Sequence, residues 1–335
     1  MGADCQFCGT SVLLPEKGAV IVSKNARQEV FRLPVSYEDQ EALIYDYQTL
    51  AELLEAMGDN SMKNNDWVHI LNKESSQSFP ISIGNLYERL KHPDLAAIIH
   101  KEDFTAHLQP IIEVTTNEIF GYESLLRTSS QEVNPGQLFS FAHQSGLHSM
   151  LDQKARRAAV KAKSKYIEKG KKVFINFLPS TIYVPEFCLK HTFQIIEEFN
   201  IDPADIVFEV VETEKITDVA HLKSIFDTYK ASGMKVALDD VGSGYSTIEM
   251  LSLLKPDYVK VDRSYIKDCH INEEHQSFLN EVIGRANHLG INVLAEGIEK
   301  EEEWTWLQSA GIHFGQGYYL GRPKEIPEKE AIIPS

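Results

Sequence analysis

A set of polar residues stands where short apolar runs stop: Glu123 in GYESLLR, Asn176 in FINFLPS, Glu209 in VFEVVE, Asp239 and Asp240 in MKVALDDVGSG, Lys260 in VKVD, Glu296 in LAEGIE and Gln316 in GQGYY. Five of these are carboxylates. Gathered at one place, they would repel and take up protons unless cations offset them. An all-oxygen set of Glu, Asp and Asn, without His or Cys, suits Mg²⁺ or Mn²⁺ better than zinc. Asp239 and Asp240 are expected to point in different directions off a strand of period two, so that one bridges two ions while the other holds only the second. Two metals about 3.5–4 Å apart serve in-line attack on phosphorus, and the implied reaction is phosphodiester hydrolysis.

Each member has a plainer reading when taken alone. An Asp or Glu at a strand end is more often a cap or a loop partner, an Asn before Phe-Leu-Pro-Ser a turn residue, and Lys260 a solvated or a Schiff-base lysine. The set points to function only if the strands end at one level. From about residue 100 a unit recurs of amphipathic helix, glycine, apolar strand and polar residue. Helix 154–169 ends at Gly170 and KKVFI leads to Asn176; helix 217–232 ends at Gly233 and MKVAL leads to Asp239; helix 274–289 ends at Gly290 and INVLA leads to Glu296; helix 301–310 ends at Gly311 and IHF leads to Gln316. Glycine ends helices because it takes the left-handed conformation without steric cost.

Strands alternating with helices imply a parallel sheet with right-handed crossovers. With further strands near 107–113, 119–125, 205–211 and 256–262, eight close most economically into a (β/α)8 TIM-type barrel whose working face is the carboxyl end. The first hundred residues lack this rhythm. A strand at GAVIVS, a helix around 48–57 and a loop at 58–65 predict a separate small α+β domain, residues 1–97, ahead of a barrel over 98–335.

The chain has 335 residues and a formal charge of -16, which argues against long nucleic acids as general partners. No apolar run approaches the roughly 18 residues of a membrane span, and the start lacks the plan of a secretory signal, so a cytoplasmic protein is expected. Of the four cysteines, only Cys5 and Cys8 form a pattern, C-x-x-C. A structural zinc wants four ligands, which His69, His92, His100 or the same pair of a second subunit would complete. A Zn²⁺ half-site, a redox pair and no shared chemistry all stay open.

From about residue 100 to the end the sequence resembles the EAL domain family of cyclic di-GMP phosphodiesterases. The matching segments are Q-P-I (109–111), E-S-L-L-R (123–127), I-N-F (175–177), E-V-V-E (209–212), D-D-V-G-S-G-Y-S (239–246), K-V-D (260–262), A-E-G-I-E (295–299) and Q-G-Y-Y-L-G-R-P (316–323), in the family's order. The resemblance implies a barrel with one antiparallel strand and two Mg²⁺ or Mn²⁺ ions. Glu123, Asn176, Glu209 and Asp239 would hold the first ion; Asp239 and Asp240 would share the second, with Glu296 and Gln316 near it. Lys260 would hold the attacking water, so that Lys260, Glu296 and Glu123 carry the catalysis. Gln109, Arg127 and Asp262 would contact the dinucleotide. Glu212 would brace the loop containing Gly242 and Gly244, which in the family couples the active site to a homodimer interface.

Departures from the family pattern are Ser124, Thr128, Val211 and Val241; none removes an expected metal ligand or the lysine. Three readings follow: hydrolysis of cyclic di-GMP to linear pGpG, a cyclic di-GMP receptor signalling through the N-terminal region, and a phosphodiesterase for another nucleotide.

Overall fold

Along a strand every second side chain faces the same way, and near the N-terminus this alternation builds a sheet with one buried face. The computed structural model describes residues 12–24, 31–58, 66–101, 103–128, 133–210, 218–242 and 248–331. Strands β1 (Gly18–Ser23), β2 (Tyr37–Glu38), β3 (Ala42–Tyr47), β4 (Trp67–Asn72) and β5 (Gln77–Ser82) form an antiparallel sheet in the order β2-β3-β1-β4-β5. Val20, Tyr45, Val68, Ile70 and Ile81 form a core with Leu53 of the helix Leu50–Ala56 and Leu86 of the helix Ile83–Lys91. Thr49 and Ser82 start those helices by accepting from the N–H of Glu52 and Asn85, caps worth about 1 kcal/mol each. The expected strand and helix are thus found. Cys5, Cys8 and the expected loop, apart from Gly58, lie outside the described residues.

The chain divides into two compact units, one of residues up to Asp103 together with Thr128–Leu151, the other of Phe104–Arg127 with Asp152 onward. In the first unit the buried Arg89 donates from Nε to the Ser145 carbonyl at 2.8 Å and from Nη2 to that of Gly146 at 3.4 Å, which ties the 128–151 segment to the helix Ile83–Lys91.

The second unit is a closed barrel. Its strands are β6 (Thr105–Glu113), β7 (Ile119–Arg127), β8 (Lys172–Phe177), β9 (Ile206–Val210), β10 (Lys235–Val241), β11 (Tyr258–Val261), β12 (Asn292–Ala295) and β13 (Phe314–Gly315), in the cyclic order β10-β11-β12-β13-β6-β7-β8-β9. All neighbours run parallel except β6, which is antiparallel to both β7 and β13. The helices Glu273–Leu289 and Glu301–Ala310 end on Gly290 and Gly311 in the left-handed conformation, as their sequences predict. The helix before β8 differs: it runs His148–Tyr166, so Gly170 does not terminate it. Gly170 instead donates its N–H to the buried Asp205, which also pairs with Lys163. Among the described residues no helix is long and apolar enough to cross a membrane.

The barrel interior is layered. Ile111, Phe174, Val207, Ala237, Tyr258, Leu294 and Phe314 pack into one apolar floor, and the residues between them on the strands, such as Val173, Ile175, Phe208 and Val259, pack outward with the helices. One step of two residues along six of the strands leads from floor to polar layer: Phe174 to Asn176, Val207 to Glu209, Ala237 to Asp239, Tyr258 to Lys260, Leu294 to Glu296 and Phe314 to Gln316. On β6 the step runs backwards, from Ile111 to Gln109, because that strand points the other way. The floor excludes water beneath the polar residues. Truncating Phe174, which is fully buried, to alanine is expected to remove about 3–5 kcal/mol of unfolding free energy; urea unfolding at unchanged slope checks this, and a loss below about 1 kcal/mol would mean that the floor is not close-packed.

Candidate active site

Lys260 is 1% exposed and sits at the centre of the polar layer. Its Nζ lies 2.6 Å from Glu296 Oε1, 3.2 Å from Asp239 Oδ1 and 3.8 Å from Glu123 Oε1, and it donates directly to Glu209 Oε2. Glu123 also accepts from Asn176 Nδ2 at 3.2 Å and from Gln316 Nε2 at 2.7 Å. Gln109 Nε2 donates to the Gly321 carbonyl at 3.1 Å. Six strands therefore deliver Glu123, Asn176, Glu209, Asp239, Lys260 and Gln109 to one place, and the turns after β12 and β13 add Glu296 and Gln316.

Local backbone features set this level. Gln316 donates its N–H to Ala295 and accepts from the N–H of Ile298, an approach so close that a Cβ on Gly317 would stand 2.1 Å from the Ile298 carbonyl oxygen. On β10 the register with β11 shifts between Leu238 and Val241, and Asp240 has φ 53. This bulge corrects the simple alternation. Instead of diverging, carboxylate oxygens of Asp239, Asp240 and Glu296 come within 4.8 Å of one another, because an extra residue in the left-handed region turns the second aspartate back toward the first. Gly242 follows at φ 106, with the stacked rings of Tyr265 and Phe278 filling the space a Cβ would need.

Burial and charge act against each other here. Burial pushes the carboxyl of Glu209 well above the ordinary carboxylate range, against the pull of Lys260 and with repulsion from Glu123 and Asp239 adding to it. Burial raises Asp239 and Glu296 as well, Lys260 again opposing. For Lys260 burial alone would lower the pKa, but Asp239, Glu123, Glu209 and Glu296 together outweigh it and hold the ammonium well above the usual lysine value. Five carboxylates against one ammonium leave four negative charges, the charge that two divalent cations would cancel. Glu209 Oε1 and Gln316 Oε1 are buried with no hydrogen-bond partner, and an unpartnered buried oxygen is costly. The donor set of carboxylate and amide oxygens fits Mg²⁺ or Mn²⁺.

A cavity of about 240 Å³ opens above this layer, lined by Gln109, Glu123, Asp262, Glu296 and Gln316 among others. Asp262 also caps the helix Arg263–Ile266, accepting from the N–H of Ser264 at 2.9 Å. Arg127 is not brought to this cavity; its Nη1 donates to the neighbouring Leu126 carbonyl. Glu212, Gly244 and Val211 lie outside the described residues. Arg263, Gly297, Glu299, Gly317 and Tyr318 complete the lining. Composition and spacing do not single them out, and the signal available was adjacency, since each follows a strand-end residue within a few positions.

The raised carboxyls fix the sign of a pH effect. Their folded pKa values exceed the unfolded ones, so the folded state binds more protons and its stability falls as pH rises above the unfolded value, about 4. Lys260, raised too, keeps its proton throughout. In chelator the melting temperature is expected to fall between about pH 5 and pH 8, and Mn²⁺ is expected to flatten that slope; calorimetry showing equal slopes with and without Mn²⁺ would rule out ion binding at this ring.

The EAL domain family model matches residues 93–323. The barrel is similar to a standalone EAL protein from Vibrio cholerae O395, solved in a c-di-GMP bound form, at 36% identity over 69% of this chain and 96% of that one, with TM-score 0.63. It is similar to Klebsiella pneumoniae BlrP1, solved as a manganese/cy-diGMP complex, at 30% identity over 67% of this chain and 57% of that one, with TM-score 0.62. Among curated proteins, the probable cyclic di-GMP phosphodiesterase PdeB of Escherichia coli (strain K12) is 28% identical over 240 residues, 70% of this chain and 46% of that protein. The chain thus spans less than half of that relative's length. With residues 93–323, more than half of the chain, matched by the family model, the chain belongs to the EAL domain family.

Proposed function

We infer that this protein hydrolyses cyclic di-GMP to linear pGpG with two Mg²⁺ or Mn²⁺ ions. The observation that carries the reading is the single ammonium of Lys260 inside a ring of Glu123, Glu209, Asp239 and Glu296, in a barrel similar to one that holds c-di-GMP. Glu123, Asn176, Glu209 and Asp239 would hold one ion and Asp239 with Asp240 the other; bound there, the ions activate water and stabilise charge on phosphorus.

Lys260 cannot take a proton from water, because its carboxylate neighbours keep it charged. It serves as a donor that orients the water oxygen and then meets the charge developing on phosphorus. Glu296, 2.6 Å from Lys260 and with a raised proton affinity, is suited to receive the water proton. A P–O bond forms to the water oxygen as one P–O ester bond breaks, and the ribose oxygen leaves as a hydroxyl, its proton balancing the one that the water gave up, to give pGpG. Gln109 and Asp262, which line the cavity, are the candidate contacts to the dinucleotide; Arg127, which the family resemblance also implies, would have to leave the Leu126 carbonyl to act as a bidentate phosphate partner.

Purified protein incubated with cyclic di-GMP and Mn²⁺ is expected to yield pGpG on chromatography, and to yield none in chelator. Glu209→Gln is expected to slow turnover by at least about a hundredfold, as for removal of one transition-state contact. Intact dinucleotide that binds without cleavage would make the protein a receptor. A homodimer through the loop after Asp240 and its following helix, which the family resemblance implies, accompanies the reading; sedimentation as a monomer at micromolar concentration would count against it.

A further inference from the structure

Two buried charges hold the chain just beyond β8, the strand that carries Asn176. Asp152 and Arg156, 2% and 3% exposed, stand one turn apart on the helix His148–Tyr166, with Arg156 Nη2 2.7 Å from Asp152 Oδ2. Stability alone does not explain so deep a pair, since desolvation offsets most of its attraction and apolar side chains of like volume often serve as well. Its further bonds all lead off the helix. Asp152 Oδ1 accepts from the N–H of Leu178 at 3.4 Å, two residues past Asn176, and Asp152 Oδ2 accepts from the Thr181 hydroxyl at 3.1 Å. Arg156 Nη1 donates to Thr192 Oγ1 at 2.8 Å, on the helix Lys190–Glu198. The segment between β8 and that helix is thus tied at both ends to one turn of the helix His148–Tyr166. His221 Nε2 adds a tie within it by donating to the Ile182 carbonyl at 2.6 Å.

Asn176 depends on such ties more than the acids around it do. A carboxylate offers an ion two equivalent charged oxygens, whereas an amide offers one neutral oxygen beside an NH₂ that repels the ion, and the torsion that exchanges the two is soft. Here Asn176 Nδ2 donates to Glu123 Oε1 at 3.2 Å, which leaves Oδ1 as the acceptor an ion would use. The ladder fixes Asn176 on one side only: β8 pairs with β9 through Asn176 and Phe177, but its pairing with β7, the strand of Glu123, stops at Ile175. The placement of Asn176 toward Glu123 therefore rests on what anchors the chain after it. That anchor is a closed turn, in which the Leu178 carbonyl accepts from the N–H of Thr181 at 3.0 Å, and Asp152 grips it at both Leu178 and Thr181.

We propose that Asp152, held by Arg156, is a positioning residue for Asn176: by fixing the turn Leu178–Thr181 it sets the amide oxygen toward the first ion. The inference rests on the two-ion reading and adds to it residues outside the ring. The experiment measures Mn²⁺ binding by titration calorimetry, without substrate, in wild type, Asp152→Asn, Asn176→Ala and the double variant. Asp152→Asn is expected to raise the Mn²⁺ dissociation constant about tenfold, the low end for loss of a group that orients a metal ligand. Asn176→Ala is expected to weaken Mn²⁺ too, and adding Asp152→Asn to it is expected to change little further, because a positioning residue has no effect once the group it positions is gone. Thr181→Val, which removes only the hydroxyl that reaches Asp152, is expected to give a smaller loss and serves in the same cycle should Asp152→Asn fail to fold. Leu279→Ala, a buried truncation on the helix Glu273–Leu289, is expected to lower the melting temperature while keeping wild-type affinity. Wild-type affinity in the folded Asp152 and Thr181 variants, losses that multiply when combined with Asn176→Ala, or an equal loss in Leu279→Ala would each overturn the inference. A wild type that binds no Mn²⁺ would overturn the two-ion reading itself.

Discussion

Four carboxylates share one ammonium at the dry end of the barrel, and the rest of the active site depends on how that charge is balanced. At an effective dielectric near 20, two like charges about 4 Å apart repel by about 4 kcal/mol, so a few such pairs would exceed the roughly 5–15 kcal/mol that holds a domain folded. Lys260 offsets part of this from the centre of the ring, reaching Glu209, Glu296, Asp239 and Glu123 at once. The remainder must be met by protons or by divalent cations. A site that is strained when bare and relaxed when loaded is also a site organised for phosphoryl chemistry, where the same cations act on the substrate.

The barrel makes that arrangement affordable through its layering. Every strand but β7 gives one apolar side chain to the floor and, two residues away, one polar side chain to the ring, so the charges rest on packed hydrocarbon. The floor keeps Glu209 at 0% exposure, which strengthens its bond to Lys260. The antiparallel β6 brings Gln109 to the same level from the opposite direction. Where regular geometry would have sent Asp240 away from the ring, the bulge in β10 returns it, at the cost of a left-handed aspartate. Strain of this sort persists where the surroundings enforce it, and here the tight packing at Gly242 follows directly.

Much of this was legible in the sequence. The glycine-terminated helices and the apolar runs predicted the strands to within a few residues, since period and punctuation are local properties. The polar residues at the strand ends were visible for the same reason. The helix before β8 was misjudged at both ends because its start at His148 lies in a segment without a strong cap and its glycine serves the loop to Asp205. Arg263, Glu299 and Tyr318 were passed over as site residues, and Arg127, expected at the substrate, turns to its own neighbouring carbonyl. These depend on how loops fold over the mouth, and no periodicity reports that.

The sequence by itself determined the class of the fold, the level at which the strands end and the residue types found there, because alternation and helix termination are dictated within a few residues of chain. The tertiary structure alone decided which carboxylates Lys260 touches, that Asp239 and Asp240 converge, and that Arg263 meets Glu299 across the rim. Closing a barrel sets distances between residues far apart in sequence, and only those distances turn a list of acids into a charge-balanced site.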